Sequence, residues 1–177
     1  MNESSYERQL ASFVDAMREG AVTRILELGT VDESFLASVV READWADSIE
    51  LHCADNGDDS FDSKLTTLAE NTSVDFNVIK HIGSETEISD AIMQVAEASR
   101  FDAIFIAGAT SSEALLSACM VCHEVLRSEG IMAISIAVRE QDLMGAAVAS
   151  FRDMFGDSYE EFGEGLDLLV RYRYRLG

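Results

Sequence analysis

A short apolar strand that runs straight into a tight turn constrains the fold of this chain most. Residues 24–30 read RILELGT, so a single acid stands among apolar residues just before a glycine. A strand, a turn and a helix in that order form the usual cradle of a nucleotide-like cofactor, because the turn brings backbone close to the ligand. The sequence therefore predicts a site of this kind where the first strand ends.

Helical and strand patterns alternate along the rest of the chain. Strands are predicted at residues 22–28, 48–54, 75–82, 102–106 and 131–138. Helices are predicted at residues 5–19, 33–43 and 111–127, and others carry Phe61, Ile88 and Leu143. Capping boxes are predicted for Ser84 with Glu87 and for Thr110 with Glu113. This alternation is typical of an α/β fold with a parallel sheet between helices.

The end of the chain departs from this repeating unit. Residues 159–162 and 166–175 both have strand patterns, and only three residues separate them. Because so short a loop joins only antiparallel neighbours, a hairpin is expected here. The predicted fold is a three-layer Rossmann-like α/β sandwich with a mostly parallel seven-stranded sheet and an antiparallel C-terminal hairpin. We expect one domain over residues 1–177, with an N-terminal helix within residues 1–20.

The charge of the chain excludes several classes of partner. There are 33 acidic residues against 13 basic ones, which gives a net charge of −20. Because like charges repel, neither nucleic acid nor an anionic membrane surface is an expected partner. No stretch approaches the ~20 apolar residues that a membrane span needs, and residues 1–20 lack the apolar run of a secretory signal. We expect a cytoplasmic protein, and the sequence leaves a homo-oligomeric state open.

Cysteine and histidine side chains offer further candidate chemistry. The run CMVCH, from Cys119 to His123, matches the pattern of covalent haem attachment. Both cysteines, however, fall on the apolar face of the predicted helix, where they act as small core residues. We expect His52 and His81, inside two strands, to be buried, although alternation does not say whether they meet. His123 is expected on a helix surface.

Several short segments match a known pattern. Residues 27–30 look like the start of an acid-x-Gly-x-Gly-x-Gly motif, and Asp55 ends the second predicted strand. Residues 83–85, 101–108 and 126–130 match the segments that follow strand three, form strand four and precede strand five. In these motifs and in the order of its elements, the chain resembles the class I S-adenosylmethionine-dependent methyltransferases. It is most similar to small O-methyltransferase-like members, with a degenerate glycine motif.

The resemblance implies S-adenosylmethionine as cofactor and a small molecule as substrate. The residues that it places at the cofactor are Glu27, Gly29, Thr30, Asp55, Ser84 and Ala107. In this arrangement Gly29 gives the close backbone approach, and Glu27 braces the loop. Asp55 would bind the ribose hydroxyls, since a carboxylate can accept two hydrogen bonds from a diol. Ser84 would lie near the adenine.

Two departures from the family pattern bear on activity. Val31 and Glu33 stand where the family has its second and third motif glycines, and Asp32 adds a further negative charge near the expected carboxylate of the cofactor. Like charges at about 4 Å cost ~1 kcal/mol in water and more when partly buried. Alternatively, the two acids are ordinary residues of a first helical turn. Ala107 replaces the aspartate of metal-dependent relatives, so no metal site is expected, and the sequence identifies no catalytic base.

Three functions remain open from the sequence. The first is a metal-independent methyltransferase that acts on a small molecule. The second is a non-catalytic binding or assembly module that has kept the fold and lost the cofactor, which the altered glycine loop favours. The third is a nicotinamide-dependent enzyme, against which the missing G-x-G-x-x-G pattern and the antiparallel tail both count.

Overall fold

A computed structural model of the chain describes residues 5–29, 34–55, 72–107, 111–134, 141–161 and 168–172. Its helices are α1 (Ser5–Glu19), α2 (Ser34–Glu42), α3 (Glu85–Ala98), α4 (Ser112–Val125) and α5 (Gln141–Phe155). Its strands are β1 (Arg24–Leu28), β2 (Ser48–Asp55), β3 (Asp75–Ile82), β4 (Phe101–Ile106), β5 (Leu126–Ile134), β6 (Tyr159–Glu161) and β7 (Leu168–Tyr172). The helix predicted around Phe61 lies outside these residues.

The strands of the described residues form one sheet in the order β3-β2-β1-β4-β5-β7-β6. Each neighbouring pair among β1 to β5 is parallel, whereas β7 runs antiparallel to β5 and β6 antiparallel to β7. The predicted Rossmann-like α/β fold with a parallel sheet is confirmed, and within the described residues five of its strands are parallel and two antiparallel. The described parts of the last two predicted strands, residues 159–161 and 168–172, are strands. Residues 162–167, which hold the predicted hairpin turn, lie outside the described residues.

The passage from α4 to β5 differs from the prediction. The helix ends at Val125, and β5 begins at Leu126 instead of five residues later. Leu126 pairs with Phe101, and the register then shifts before Ile131 pairs with Ala103. Within the shift, residue 129 takes a left-handed φ of 64°. A Cβ atom on residue 130 would lie 2.8 Å from the carbonyl oxygen of residue 127, which explains the glycine there. Because such a bulge interrupts the alternation of side chains along a strand, the sequence pattern does not predict the start of β5 at Leu126.

Helices cover both faces of the sheet, because successive side chains of a strand point to opposite sides. One buried cluster combines α1 and α2 with the odd-numbered residues of β1 and β4, such as Ile25 and Phe105. The other combines α3, α4 and α5 with the even-numbered residues, such as Leu26 and Ile104. Strand β4 is buried along its whole length, as the apolar run at residues 103–106 predicts.

Side chains tie the strands together at the amino edge, the end of the sheet at which the parallel strands begin. Asp102 Oδ2 accepts hydrogen bonds from the backbone N–H groups of Thr23 and Arg24, at 2.8 and 2.9 Å, and from the Thr23 hydroxyl at 3.1 Å. Its other oxygen lies 2.8 Å from Nε of Arg127. Nearby, the Trp45 indole N–H donates to the carbonyl of residue 22 at 2.7 Å.

The three cysteines are buried and none of them forms a disulfide. Burial raises the pKa of Cys119 to about 12 and that of Cys122 well above its ordinary value. Neither thiol supplies a thiolate at neutral pH, so the predicted core role of this pair is confirmed and redox chemistry at the motif is disfavoured. In the part of the chain that the structure describes, no helix is long and apolar enough to cross a membrane.

Candidate functional site

The carboxyl edge of the sheet, where the parallel strands end, contains a reversal of strand order. From β1 the chain moves outward to β2 and β3, and it then returns to β4 on the other side of β1. At such a reversal a crevice forms outside the carboxyl ends of the strands, and open α/β sheets bind their ligands there. The boundary between β1 and β4 is therefore the candidate site.

Gly29 leaves β1 in a left-handed conformation, with a φ of 76°. Its N–H donates to the carbonyl of Ala54 at 3.0 Å, and the N–H of Ala107 donates to the carbonyl of Leu28 at 2.8 Å. These two bonds hold the ends of β2, β1 and β4 side by side, about 4.8 Å apart. Because a Cβ atom is strained at this φ, the turn favours glycine, and the chain presents bare backbone where β1 ends.

Glu27 lies two residues before this turn and is only 1% exposed. In the register of the sheet it is flanked by Cys53 of β2 and Phe105 of β4, on the face that α1 and α2 cover. Since so little of this residue reaches solvent, it is placed to support neighbouring groups from beneath the turn. Its bracing of the loop remains a prediction.

Three aromatic rings pack beneath the candidate site. Phe35, in the first turn of α2, stacks on Phe105 with ring centroids 4.0 Å apart and an angle of 9° between the planes. Phe13 of α1 contacts both rings, at 5.5 and 6.0 Å. The stack fixes the start of α2 over the strand that ends beside Gly29. The sequence predicts a helix over residues 33–43 but does not assign Phe35 to the site, and its place in the first turn of that helix was the available signal.

The other predicted site residues are distributed along the same edge. Asp55 is the last residue of β2 and pairs in register with Ile82 of β3. Its side chain, together with all of Thr30, lies outside what the structure describes, as do Val31 and Glu33. Ala107 directly follows β4 and is half-buried. The fold thus brings the backbones of Gly29, Asp55 and Ala107 to neighbouring strand ends, while their contact with a cofactor remains a prediction.

Ser84 begins α3 through the predicted capping box, which is confirmed. Its hydroxyl donates to Oε2 of Glu87 at 2.7 Å and accepts from the N–H of Glu87 at 3.4 Å. The backbone N–H of Ser84 donates to the same carboxylate oxygen at 2.9 Å, and these bonds lower the pKa of Glu87. The hydroxyl is therefore already engaged within the chain. At α4 the predicted cap was wrong by one residue, because Ser111 and not Thr110 caps that helix.

His52 and His81 meet in the structure. Nδ1 of His52 lies 2.9 Å from Nε2 of His81, and Nε2 of His52 lies 2.6 Å from Oε1 of Glu50. The same oxygen of Glu50 accepts a hydrogen bond from Nε of Arg24 at 2.6 Å. A chain of polar side chains thus crosses three strands on the face that α3 covers. The expected burial of both histidines is confirmed, whereas their contact follows from strand order and was beyond sequence reasoning.

His123 is half-buried, so the prediction that placed it on a helix surface was wrong in part. Its Nδ1 lies 2.9 Å from the hydroxyl of Tyr159, and its ring stacks on Phe155 with centroids 4.0 Å apart. Burial lowers its pKa. These contacts join α4, α5 and β6, far along the sheet order from the candidate site.

Comparison with known proteins gives a match of structure without a match of sequence. No protein-family model and no curated protein sequence matches the chain. Among solved structures, a Klebsiella pneumoniae protein assigned as an O-methyltransferase superposes with a TM-score of 0.67 and 17% identity, over 98% of this chain and 84% of that one.

Two further structures carry a bound cofactor or its product. The O-methyltransferase from Bacillus cereus in complex with SAH has a TM-score of 0.64 and 14% identity, over 92% of this chain and 79% of that one. TomG from Streptomyces achromogenes, in complex with SAM, has a TM-score of 0.63 and 16% identity, over 94% and 80%. The chain therefore has the fold of the class I S-adenosylmethionine-dependent methyltransferases.

Proposed function

We propose that this chain binds S-adenosylmethionine at the carboxyl edge of its sheet and transfers the methyl group to a small molecule without a metal ion. The observation that carries the proposal is the left-handed Gly29, which ends β1 at the reversal of strand order. The Bacillus cereus and Streptomyces achromogenes enzymes, which hold SAH and SAM, share this fold over 92% and 94% of the chain. We infer that this site binds a ligand of the same class.

The residues at the edge fit such a cofactor in three respects. Gly29 allows its backbone to approach a ligand closely. Asp55 ends the neighbouring strand, where a carboxylate accepts two hydrogen bonds from the hydroxyl pair of a ribose. Glu27 is buried just below the turn and is placed to support it. When bound, S-adenosylmethionine supplies an electrophilic methyl group.

The contribution of the chain to methyl transfer is positioning and exclusion of water. A methyl transfer of this kind needs no covalent intermediate with the protein, so holding the two reactants in line contributes most of the acceleration. The stack of Phe35 on Phe105 keeps the start of α2 in a fixed place beneath the site. Ala107 follows β4 where metal-dependent relatives carry an aspartate, and its methyl side chain has no oxygen with which to coordinate a hard cation.

A non-catalytic binding module is the second candidate, and two observations favour it. The hydroxyl of Ser84, expected near the adenine, is engaged by Glu87. The glycine motif carries Val31 and Glu33 at two of its three glycine positions. In this reading the chain keeps the sheet and its helices and uses another surface for its function, since a fold by itself does not fix an activity.

Calorimetric titration with S-adenosylhomocysteine separates the two candidates. We expect micromolar affinity for the wild-type protein. The variant Asp55→Ala should bind about 10- to 100-fold more weakly, because it loses a charge-assisted interaction worth about 1.5–3 kcal/mol. Asp75→Ala is the matched control, since Asp75 begins β3 at the opposite edge and is exposed, and its affinity should be unchanged. Absence of heat with millimolar ligand and folded protein would contradict cofactor binding and favour the binding module.

Activity itself requires an acceptor. We expect transfer of a labelled methyl group from S-adenosylmethionine to a member of a panel of small phenols, catechols and carboxylic acids. Added EDTA should leave the rate unchanged if the reaction is metal-independent. A rate that falls to background with EDTA and returns with Mg²⁺ would contradict that part of the proposal.

A further inference from the structure

Two buried histidines join the edge strand β3 to its neighbour β2 through their side chains. Nδ1 of His52 and Nε2 of His81 are 2.9 Å apart, and the two rings are stacked with centroids 5.2 Å apart. The two residues are 1% and 9% exposed. In the described residues β3 has a strand neighbour on one side only. The pair therefore adds a side-chain link to the backbone hydrogen bonds that hold β3 on β2.

Two neutral rings satisfy this bonding pattern. The carboxylate of Glu50 only accepts hydrogen bonds, so a neutral His52 carries its proton on Nε2 and its Nδ1 accepts from the Nε2–H of His81. An added proton brings a positive charge into a site that water hardly reaches, and two added protons place two N–H groups face to face.

Among the described residues, a neighbouring acid favours added positive charge on His52 but not on His81. Glu50 favours a charged His52, whereas Arg24, bonded to the same carboxylate oxygen, opposes it. In the part of the chain that the structure describes, the charge that acts on the pKa of His81 is that of a protonated His52, which lowers it. On this face, within the described residues, the ring of Phe101 meets His52 edge-on, and α3 adds aliphatic side chains to the buried cluster that contains Phe101. Burial lowers the pKa of both histidines.

We propose that His52 and His81 form a proton-sensitive latch, which holds β3 on the sheet while both rings are neutral and weakens as the pair takes up protons, most of all when both rings are charged and two N–H groups face each other. The folded state disfavours the charged rings and a locally opened state does not, so opening takes up protons. The latch is therefore intact above the ordinary histidine pKa of 6.5 and weakens as the pH falls below it. Because β3 leads directly to Ser84, the released segment includes the start of α3.

Hydrogen exchange of backbone amides in the full-length protein tests the latch. We expect protection factors for residues 75–82, corrected for intrinsic exchange, to fall about tenfold between pH 7 and pH 5. The limit for one histidine is roughly 30-fold, because a ring with an ordinary pKa of about 6.5 is mostly charged at pH 5 once it is exposed. Amides of residues 103–106 in the central strand β4, whose side chains are apolar and buried, serve as the reference within the same sample.

Glutamine variants separate titration from packing. In the double variant His52→Gln/His81→Gln each amide can still donate and accept hydrogen bonds, but neither titrates. We expect β3 of this variant to show less than a twofold change in protection over the same pH range. His123→Gln is the matched control, because burial lowers the pKa of His123 as well while its contacts lie on α4, α5 and β6. This control should keep the tenfold change in β3.

A direct titration by NMR tests the proposal even if the double variant does not fold. In the wild-type protein the imidazole nitrogens of His52 and His81 should titrate below the ordinary value, and each titration should shift the resonances of the other ring. Independent titration at the ordinary value would overturn the latch. Equal protection of β3 at the two pH values, or a pH dependence that persists in the folded double variant, would do so as well.

Discussion

The two edges of the sheet are held together in different ways. At the amino edge side chains add to the backbone bonds: Asp102 accepts three hydrogen bonds from residues 23 and 24 and forms an ion pair with Arg127. At the carboxyl edge, within the described residues, the ends of β2, β1 and β4 are tied by backbone, through the N–H groups of Gly29 and Ala107. Main chain also joins the strand starts, since the N–H groups of Glu50 and Asp75 donate to the carbonyls of Thr23 and Asp47 at 2.8 and 2.9 Å. Within the described residues, the amino edge therefore differs in the polar side chains that it adds to these backbone bonds.

This difference separates stability from binding. A side chain that is already bonded to its neighbours contributes to the free energy of unfolding but has little capacity left for a ligand. Bare backbone in a left-handed turn contributes little to stability, and it allows a ligand to come close. Ser84 is the exception at the carboxyl edge, because its hydroxyl is used to begin a helix. The comparison therefore predicts that variants at the two edges affect different measurements.

The largest expected effect on stability comes from Asp102→Ala. The variant leaves two backbone N–H groups and a hydroxyl at the amino edge without their acceptor, and at about 1 kcal/mol for each lost bond we expect the free energy of unfolding to fall by about 3 kcal/mol. Urea denaturation measures it. The affinity of the folded protein for S-adenosylhomocysteine should be unchanged, and a large loss of affinity would contradict the separation of the edges.

Asp44→Ala is the matched control for this prediction. Asp44 also bonds an arginine at the amino edge, Nε of Arg18 at 3.0 Å, but its side chain is 72% exposed. Because exposed ion pairs contribute little, we expect a change of less than about 1 kcal/mol. An equal effect of the two substitutions would mean that the loss reflects charge alone and not the buried hydrogen bonds of Asp102.

The frame of the carboxyl edge could be predicted from the sequence, because it depends on short local patterns. Strand β3 was predicted with its observed bounds, and β2 and β4 to within one residue. Gly29 was identified because a glycine directly after an apolar strand indicates a turn that a side chain would strain. The cap at Ser84 was identified from the spacing of serine and glutamate.

The ties of the amino edge could not be predicted, because each of them joins residues that are distant in the chain. Asp102 bonds residues 78 and 79 positions away, and only the order of the strands brings them together. The contact between His52 and His81 has the same origin. The early start of β5 was not predicted for another reason. A bulge with a left-handed residue interrupts the periodicity on which strand prediction depends.

The variant Gly29→Ala tests the carboxyl edge. A Cβ atom at a φ of 76° is strained, and we expect the free energy of unfolding to fall by about 2 kcal/mol. The larger consequence should be a loss of S-adenosylhomocysteine affinity of more than about tenfold, because the turn must move where the ligand is expected to approach. Calorimetry and denaturation of the same samples measure both effects.

Gly156→Ala is the control for this substitution. A Cβ atom on Gly156 would meet no other atom within 4 Å, so neither stability nor affinity should change appreciably. If Gly29→Ala lowers stability as expected and leaves the affinity at the wild-type value, the ligand does not approach this turn. The proposed site would then be wrong, whereas the fold would stand.

The variant Glu50→Gln tests the polar chain that crosses the sheet between the two edges. Glu50 accepts from His52 and Arg24, and these bonds lower its pKa. Losing the charge should reduce the free energy of unfolding at pH 7 by about 1.5 kcal/mol. A lowered carboxyl pKa contributes stability above the ordinary value near 4.5 and loses it as the pH falls through the folded-state value. The stability of the variant, measured from pH 7 to pH 3, should therefore fall less steeply in the acid range; a parallel decline would contradict this role.

The smallest effect is expected for Ser84→Ala, which decides how the start of α3 is used. Loss of the cap should cost about 1 kcal/mol of stability, and Ser111→Ala, which removes the cap of α4, should cost about as much. Because the Ser84 hydroxyl is bonded to Glu87, we expect the affinity for S-adenosylhomocysteine to change less than about twofold. A loss of more than about fivefold would show that the hydroxyl leaves Glu87 to bind the ligand. In that case side chains at the carboxyl edge would serve folding and binding in turn, and the division between the two edges would hold only for the ligand-free protein.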